Sequence, residues 1–178
     1  MLALCFALES ARRIGIALLF AALHEMGHLI LLTAFCAKPR RICLTAAGIR
    51  MEAPLGIRLS YGQEIAAALA GPAMSLLLAA ACWPLRGMRL TGAFWDAAYW
   101  INLGFALFNL LPVRQLDGGR AFYAALCARL PEPIARRTVL AASLAVLFLI
   151  TTLALLQLLR HKGSLSLVLV VVYLGLCC

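Results

Sequence analysis

A long uncharged stretch with one polar cluster at its centre constrains this chain more than any other feature. The stretch runs from Ile14 to Ala37, and its acidic and histidine side chains all lie within His24-Glu25-Met26-Gly27-His28. About 20 consecutive apolar residues are enough to cross a bilayer as a helix. Ionisable side chains inside such a helix are costly and mark functional sites by default. The sequence therefore predicts a spanning helix over residues 14–37 that carries a functional cluster.

The spacing within the cluster indicates the kind of site. Residues four apart on a helix lie on the same face, one turn from each other, so His24 and His28 can bind one metal ion together. Glu25 lies beside that ion, where it can act as general base toward an activated water. These three residues are typical of a zinc-dependent hydrolase, here built into a membrane.

The composition agrees with a protein that lies mostly within the bilayer. The 178 residues are 65% hydrophobic and 13% charged, with a mean hydropathy of +0.98, whereas soluble domains average about 45–50% apolar and about 25% charged residues. We expect one membrane-embedded domain over residues 1–178. The net charge of +9 comes from basic residues between apolar segments, which is usual in membrane proteins. The lipid bilayer is thus the expected partner, and nucleic acid is not.

The apolar segments predict an all-α polytopic membrane protein with about five transmembrane helices. Residues 38–63 are mixed and alternate loosely, which fits a short interfacial β-hairpin and an ordinary polar loop equally well. Pro112 and the glycines of Asp117-Gly118-Gly119 interrupt the chain after the third segment and predict a sharp turn there. The predicted helices cover residues 14–37, 64–85 (with Gly71-Pro72), 93–111, 138–159 and 164–178, and the Asp-Gly-Gly segment covers 112–120.

The basic residues predict an orientation in the membrane. If all five segments cross, ten of the 16 Lys and Arg residues lie on one side and six on the other. Because cytoplasmic loops carry the excess of Lys and Arg, the side with ten is predicted to be cytoplasmic. That side holds the loop between the first two helices and the segment around Asp117, so the predicted active site faces the cytoplasm.

Asp117 is the best candidate for a third metal ligand. A catalytic zinc takes three protein ligands and leaves one position for water, and His161 is the one further histidine in the chain. Asp117 follows a membrane segment, and a backbone break beside it could aim its carboxylate at a metal on a neighbouring helix. The acidic residues considered are Glu9, Glu52, Glu64, Asp96, Asp117 and Glu132. The seven cysteines form no CxxC pair and are interpreted as small buried hydrophobes.

Three motifs together resemble the site-2 protease family of intramembrane zinc metalloproteases, peptidase family M50. They are HEMGH in a spanning helix, the Gly71-Pro72 pair in the next, and the segment NLLPVRQLDGG at residues 109–119. The likeness covers roughly residues 14–130 and is greatest to the bacterial sporulation branch, which processes a membrane-tethered pro-sigma factor. In that branch a further helix precedes the HExxH helix and a nucleotide-sensing domain follows the protease.

The resemblance implies one Zn²⁺ per chain, bound by His24, His28 and Asp117, with Glu25 as the catalytic base. It also implies that Asn109 holds the substrate peptide or stabilises the oxyanion, and that Gly71-Pro72 packs a helix close to the site. The implied protein is a multi-pass endopeptidase of the bacterial inner membrane that cleaves a membrane-associated or single-span substrate. An inhibitory membrane partner and a homo-oligomer are both compatible with this reading.

Two other functions are compatible with the same predicted metal site. A non-catalytic membrane metal carrier or scaffold would use the histidines without hydrolysis, but a carrier needs polar residues along a route through several helices. The segments at 138–159 and 164–178 offer almost none. An inactive relative that only binds substrate is disfavoured because every proposed catalytic position is occupied.

Overall fold

The protein is built mainly from helices, with one short pair of strands between the first two. The computed structural model describes residues 11–35, 41–45, 48–52, 59–89 and 91–159. The predicted segment 164–178 lies outside the described residues. In chain order the elements are α1 (Ala11–Ala34), β1 (Arg41–Thr45), β2 (Gly48–Glu52), α2 (Tyr61–Cys82), a single 3₁₀ turn (Trp83–Leu85), α3 (Gly92–Asn109), α4 (Asp117–Cys127) and α5 (Glu132–Leu159).

Among the described residues, three helices are long and apolar enough to cross a membrane. They are Arg13–Ala34 in α1, Tyr61–Leu85 in α2 with its 3₁₀ turn, and Glu132–Leu153 in α5. The predicted third span corresponds to α3, whose 18 residues include Asp96, Asn102 and Asn109 and which is not one of these three helices. The predicted fourth span begins earlier than expected, at Glu132 instead of 138.

Helix α2 is the centre of the bundle, since it packs against α1, α3 and α4. Its start is fixed by a capping box, in which the Ser60 hydroxyl accepts from the Gln63 amide and the Gln63 side chain accepts from the Ser60 amide. Pro72 lies buried inside the helix and has no N–H to donate to the preceding turn. The central helix is therefore well defined at its start and locally relaxed near its middle.

Helices α1 and α2 approach most closely where their side chains are smallest. A Cβ on Gly27 would lie 2.7 Å from the Ala70 carbonyl oxygen and 2.9 Å from the Met74 Cβ, closer than real side chains allow. Small residues let helix backbones approach in membranes, where association depends on packing. This contact brings the face of α1 that carries His24 and His28 directly onto α2.

An apolar cluster closes the bundle on the α3 side of this contact. Its fully buried members come from α1, α2 and α3, and Trp95 and Tyr99 pack against it. Large apolar side chains elsewhere are exposed, such as Leu77 at 68% and Phe148 at 75%, as expected of helices that face lipid. The buried members are Ile16, Ala17, Phe20, Cys82, Ala98 and Phe105.

An arginine enclosed by aromatic rings lies at the turn between α2 and α3. The Arg86 guanidinium lies 4.5 Å from the ring centroid of Tyr99 and within 5.5 Å of those of Trp83 and Trp100. Its Nε donates to Asp96 at 2.7 Å. Tryptophan, tyrosine and charge together are typical of a membrane–water interface.

The strands β1 and β2 form an antiparallel pair. Arg41 is opposite Glu52, and Thr45 is opposite Gly48 at the turn. The pair occupies part of the mixed region between the first two helices. Its predicted position at a membrane interface stays a prediction.

The Asp-Gly-Gly segment is helical, which corrects the expectation of a sharp glycine turn. Helix α3 ends at Asn109, and α4 begins at Asp117 and includes both glycines in its first turn. A Cβ on Gly118 would collide with the Leu110 carbonyl, and one on Gly119 with the Val113 carbonyl. The glycines are thus needed for the close approach of the preceding loop to α4, and the bend itself is made by residues 110–116.

Candidate metal centre

Three side chains from two distant parts of the chain meet in the middle of the bundle. The Asp117 Oδ2 lies 3.1 Å from the His24 Nε2 and 3.2 Å from the His28 Nε2, and the two Nε2 atoms lie 3.3 Å apart. His24 is 1% exposed, His28 7% and Asp117 9%. The sequence spans 89 residues between His28 and Asp117, so the meeting is a result of the tertiary fold.

The triangle formed by these three atoms fits a zinc ion. Zinc binds histidine nitrogen and carboxylate oxygen at about 2.0–2.2 Å in tetrahedral geometry, which puts neighbouring ligand atoms about 3.3 Å apart. The three observed separations of 3.1, 3.2 and 3.3 Å agree with that value. His24, His28 and Asp117 are also a group whose potential ligand atoms all lie within 4.8 Å of one another. Three ligands leave a fourth position for substrate or water, as in catalytic zinc sites.

The second ring nitrogen of each histidine is held by α2. The His28 Nδ1 lies 2.8 Å from the Ala67 carbonyl oxygen, and the His24 Nδ1 lies 2.9 Å from the Ser75 hydroxyl. A carbonyl oxygen only accepts, so the His28 Nδ1 carries the hydrogen and the neutral ring presents a lone pair at Nε2. Outer contacts of this kind fix the tautomer and orientation of metal-binding histidines. Both imidazoles therefore direct Nε2 toward Asp117.

Gly71 leaves the space that an ion would need. A Cβ built on Gly71 would fall against the Nε2 atoms of both His24 and His28 and against the His28 Cε1. Gly71 thus brings α2 against both histidine Nε2 atoms with no side chain between them. The close packing expected of Gly71-Pro72 from the family resemblance is consistent with this contact, which also explains why glycine is needed there.

Asp117 is ionised at this position. It begins α4, which is not one of the helices long enough to cross the membrane. Burial raises the pKa of the Asp117 carboxyl, but N–H donors at His24 and His28 outweigh that effect and lower the pKa to about 2. With zinc bound, those nitrogens would instead present lone pairs to the ion. The group is a carboxylate at neutral pH, as a metal ligand must be.

Glu25 lies next to the ligands and is half-buried. Its carboxylate is close enough to His28, His24, Asp117 and Arg120 to interact with them electrostatically. Arg120 belongs to the first turn of α4, three residues after Asp117, and is exposed. The arrangement is consistent with a general base at the edge of the site, and this role of Glu25 stays a prediction.

Asn109 ends α3 and is buried, at 6% exposure. Its amide nitrogen donates to the Phe105 carbonyl oxygen at 2.9 Å, within its own helix. This bond differs from an interhelical contact, and it engages one of the two amide hydrogens. The role of Asn109 toward substrate or oxyanion stays a prediction.

The other acidic residues considered as ligands have different surroundings. Asp96 pairs with Arg86, Glu132 accepts from the Tyr123 hydroxyl at 3.2 Å, and Glu64 is exposed in the first turn of α2. Glu9 and His161 lie outside the described residues, and so does the side chain of Glu52. The described cysteine side chains, Cys82 and Cys127, are free thiols.

Comparison with known families finds a match over part of the chain. Residues 87–153 match the model of Peptidase family M50. That match includes α3, the loop before Asp117, α4 and most of α5. The resemblance to the site-2 protease family of intramembrane metalloproteases, predicted from the motifs, is confirmed.

Two particular proteins resemble this chain. Stage IV sporulation protein FB from Bacillus subtilis (strain 168) is 29% identical over 134 residues, which is 75% of this chain and 46% of that relative. The chain thus spans about half the length of this curated relative. The solved structure of the site-2 protease from Methanocaldococcus jannaschii superposes with a TM-score of 0.68 at 21% identity, covering 92% of this chain and 74% of that one. At this identity the second likeness concerns the fold.

Sequence reasoning did not identify the two outer contacts of the histidines. Ser75 is a small polar residue in an apolar helix, and the Ala67 carbonyl belongs to the backbone. The available signal was the spacing around Gly71, since Ala67 lies four residues before it and Ser75 four residues after it, on the same face of α2. Once Gly71 is taken as the residue that faces the metal, both positions follow from helical periodicity.

Proposed function

We propose that this chain is a zinc-dependent intramembrane endopeptidase with one Zn²⁺ per chain, held by His24, His28 and Asp117. The observation that carries the proposal is the convergence of two imidazole Nε2 atoms and one carboxylate oxygen at 3.1–3.3 Å inside an apolar bundle. A metal carrier would need further polar groups leading away from this point, and α5 is apolar over most of its length.

The depth of the site supports cleavage within the bilayer. Ten residues separate Gly71 from Tyr61 at the start of α2, and eleven separate it from Cys82 at the end. At 1.5 Å per residue, the ligand atoms beside Gly71 lie about 15 Å and about 16 Å from the two ends of the helix. The hydrocarbon core of a bilayer is about 30 Å thick, so the site is at its middle if α2 crosses upright.

The proposed reaction is hydrolysis of a peptide bond. A zinc ion bound at this centre supplies Lewis acidity toward the scissile carbonyl and lowers the pKa of a water molecule toward about 7. Glu25 takes a proton from the attacking water and later delivers it to the leaving amine nitrogen. Ser75 and the Ala67 carbonyl keep the two imidazoles oriented during these steps. Asn109 is proposed to turn its amide toward the developing oxyanion or the substrate backbone.

Water is proposed to enter along the segment that leads into α4. Arg114, Gln115 and Arg120 are exposed around Asp117, and polar backbone at membrane depth is tolerated where it lines a wet cavity. The same segment contributes to the ten basic residues counted on one side of the membrane. We therefore propose a protein with about five spans whose active site faces the cytoplasm.

The proposed substrate is a membrane-tethered protein with a single span. A peptide bond inside a helix is shielded by its own hydrogen bonds, so the substrate must unwind locally before Glu25 and the metal can reach it. The name of the Bacillus relative concerns sporulation, and regulated cleavage of a membrane-tethered protein during that process is the corresponding proposal for this chain.

Co-expression with candidate single-span substrates tests the proposed function. The native chain should cleave one of them, whereas Glu25→Gln and Asp117→Ala should not. Metal analysis of the purified proteins should find zinc in the native chain and in Glu25→Gln and a loss in Asp117→Ala. Zinc flux in proteoliposomes together with no cleavage of any substrate would instead support the carrier.

A further inference from the structure

Ser143, in the middle of α5, is the side chain that joins this helix to the loop before Asp117 by a hydrogen bond. It is fully buried, at 0% exposure. Its Oγ accepts from the Arg114 amide at 3.0 Å and donates to the Val139 carbonyl at 2.8 Å, and the Pro112 carbonyl lies 3.4 Å away. A serine hydroxyl in a helix commonly donates to a carbonyl oxygen one turn earlier. The hydrogen bond from the Arg114 amide is therefore an additional contact of this hydroxyl.

The loop is also held by apolar packing on the same helix. Val113 is 1% exposed and Leu116 6%, and Val146, Leu147 and Ile150 of α5 pack against the cluster that these two residues form. The hydroxyl of Ser143 and this apolar contact act on neighbouring residues of one short segment. Together they fix where residues 112–116 lie relative to α5.

The position of the loop determines the position of Asp117 because the loop backbone is in direct contact with the first turn of α4. A Cβ on Gly119 would collide with the Val113 carbonyl, and it would lie 2.8 Å from the Arg114 amide nitrogen. The Leu116 amide donates to the Val113 carbonyl at 2.8 Å, and the Arg120 amide donates to the Leu116 carbonyl at 3.0 Å. Backbone in such contact moves as one body, so a shift of Arg114 reaches the first turn of α4.

We propose that Ser143 is a positioning residue for the metal centre, acting through Arg114 and Gly119 on the carboxylate of Asp117. The inference rests on the proposed zinc site. It gives α5 a role in the chemistry although the hydrogen-bond partners of His24 and His28 described above lie on α1, α2 and α4. Metal sites tolerate displacements of about 0.2 Å in their ligands. A small displacement of this loop is therefore expected to weaken zinc binding.

The test compares zinc affinity in three variants of the full-length chain. Ser143→Ala removes the acceptor for Arg114, and we expect about 10-fold weaker zinc binding in chelator competition, at the lower end of the effect of outer contacts. Ser143→Thr keeps a hydroxyl and should bind zinc within about threefold of the native chain. Thr151→Ala is the matched control, because the Thr151 hydroxyl donates to the Leu147 carbonyl of its own helix at 2.7 Å, and its affinity should be unchanged.

A spectroscopic measurement separates positioning from stability. Cobalt(II) bound in place of zinc has a visible absorption that depends on coordination geometry, and Ser143→Ala should alter it while Thr151→Ala leaves it as in the native chain. If Ser143→Ala only lowers the unfolding temperature, with native zinc affinity and cobalt spectrum, the proposal is wrong. If Ser143→Ala does not fold, Leu147→Ala is measured instead and should weaken zinc binding through the same loop. An unchanged zinc affinity in Leu147→Ala overturns the proposal.

Refutation of the role of Ser143 can be distinguished from refutation of the proposed function. If the native chain binds no zinc, or if His24→Ala leaves its zinc affinity unchanged, the metal centre itself is wrong. If the native chain binds zinc through His24 and Ser143→Ala binds it equally well, the metal centre stands and the role of Ser143 is refuted.

Discussion

Replacing Gly71 by alanine should remove the metal while leaving the helix intact. The added Cβ would lie against the Nε2 atoms of His24 and His28, at distances below 3.0 Å that real Cβ atoms essentially never show. At least one imidazole must move by more than the roughly 0.2 Å that metal ligands tolerate. Displacement of an outer contact alone costs about 10–100-fold in affinity, and a displaced ligand should cost at least about 100-fold, or about 2.8 kcal/mol.

The same substitution should not unfold the protein. Alanine is favoured over glycine in a helix interior by about 1 kcal/mol, so the local helical preference opposes a loss of structure. Gly62→Ala is the matched control, because it lies on the same helix and a Cβ there meets nothing within 4 Å. We expect native zinc content and native cleavage in this control.

Four measurements on the purified variants test this prediction. Zinc content by mass spectrometry and zinc affinity by chelator competition should fall in Gly71→Ala and not in Gly62→Ala, and the unfolding temperature of the metal-free proteins should be similar. Cleavage of a single-span substrate should disappear with the metal. Native zinc affinity in Gly71→Ala would refute the claim that the ion lies between the histidines and this residue.

Three further variants test the roles assigned to individual side chains. Glu25→Gln should keep zinc and abolish cleavage, because an amide cannot accept the proton from water; full cleavage would remove Glu25 from the mechanism. Ser75→Ala should weaken zinc binding about 10–100-fold, because the His24 ring loses the hydrogen bond that orients it. Unchanged zinc affinity in chelator competition would refute this role of Ser75. Asn109→Ala should lower kcat about 100-fold or more at unchanged zinc content, whereas Asn102→Ala, which loses a similar bond within the same helix, should not; equal kcat in both would refute the oxyanion role.

The two histidines could be predicted from the sequence because their relation is local. Four residues of helix put His24 and His28 on one face whatever the rest of the fold does. Asp117 required a comparison of the few acidic residues, since its approach to the histidines depends on how α4 packs against α2. The sequence therefore predicts which residues are candidate ligands, while the distances among them come from the tertiary structure.

The residues that support the ligands could not be predicted in the same way. Ser75 and Ser143 are small polar residues in apolar helices, and such residues usually bond to their own helix. Their additional partners, His24 and the Arg114 amide, are respectively 51 and 29 residues away. No local pattern connects positions at that distance, so the outer contacts became visible only with the packing of the helices.

The sequence predicts a sharp turn at the glycines of Asp117-Gly118-Gly119, and this prediction is wrong. Two glycines after an aspartate are a common turn signal, and the sequence was interpreted in that way. The structure instead continues the chain as α4. The glycines lie where the backbone of residues 110–114 contacts that helix, and sequence alone does not distinguish backbone freedom from lack of space.

X-ray absorption at the zinc edge of the purified, zinc-loaded chain tests the central claim most directly. The account predicts one zinc per chain, with two imidazole nitrogens at about 2.0–2.1 Å and a carboxylate oxygen at about 2.0–2.2 Å, and loss of that oxygen contribution in Asp117→Ala. Sulfur at about 2.3 Å from any of the seven cysteines, or a spectrum that Asp117→Ala leaves unchanged, would contradict it.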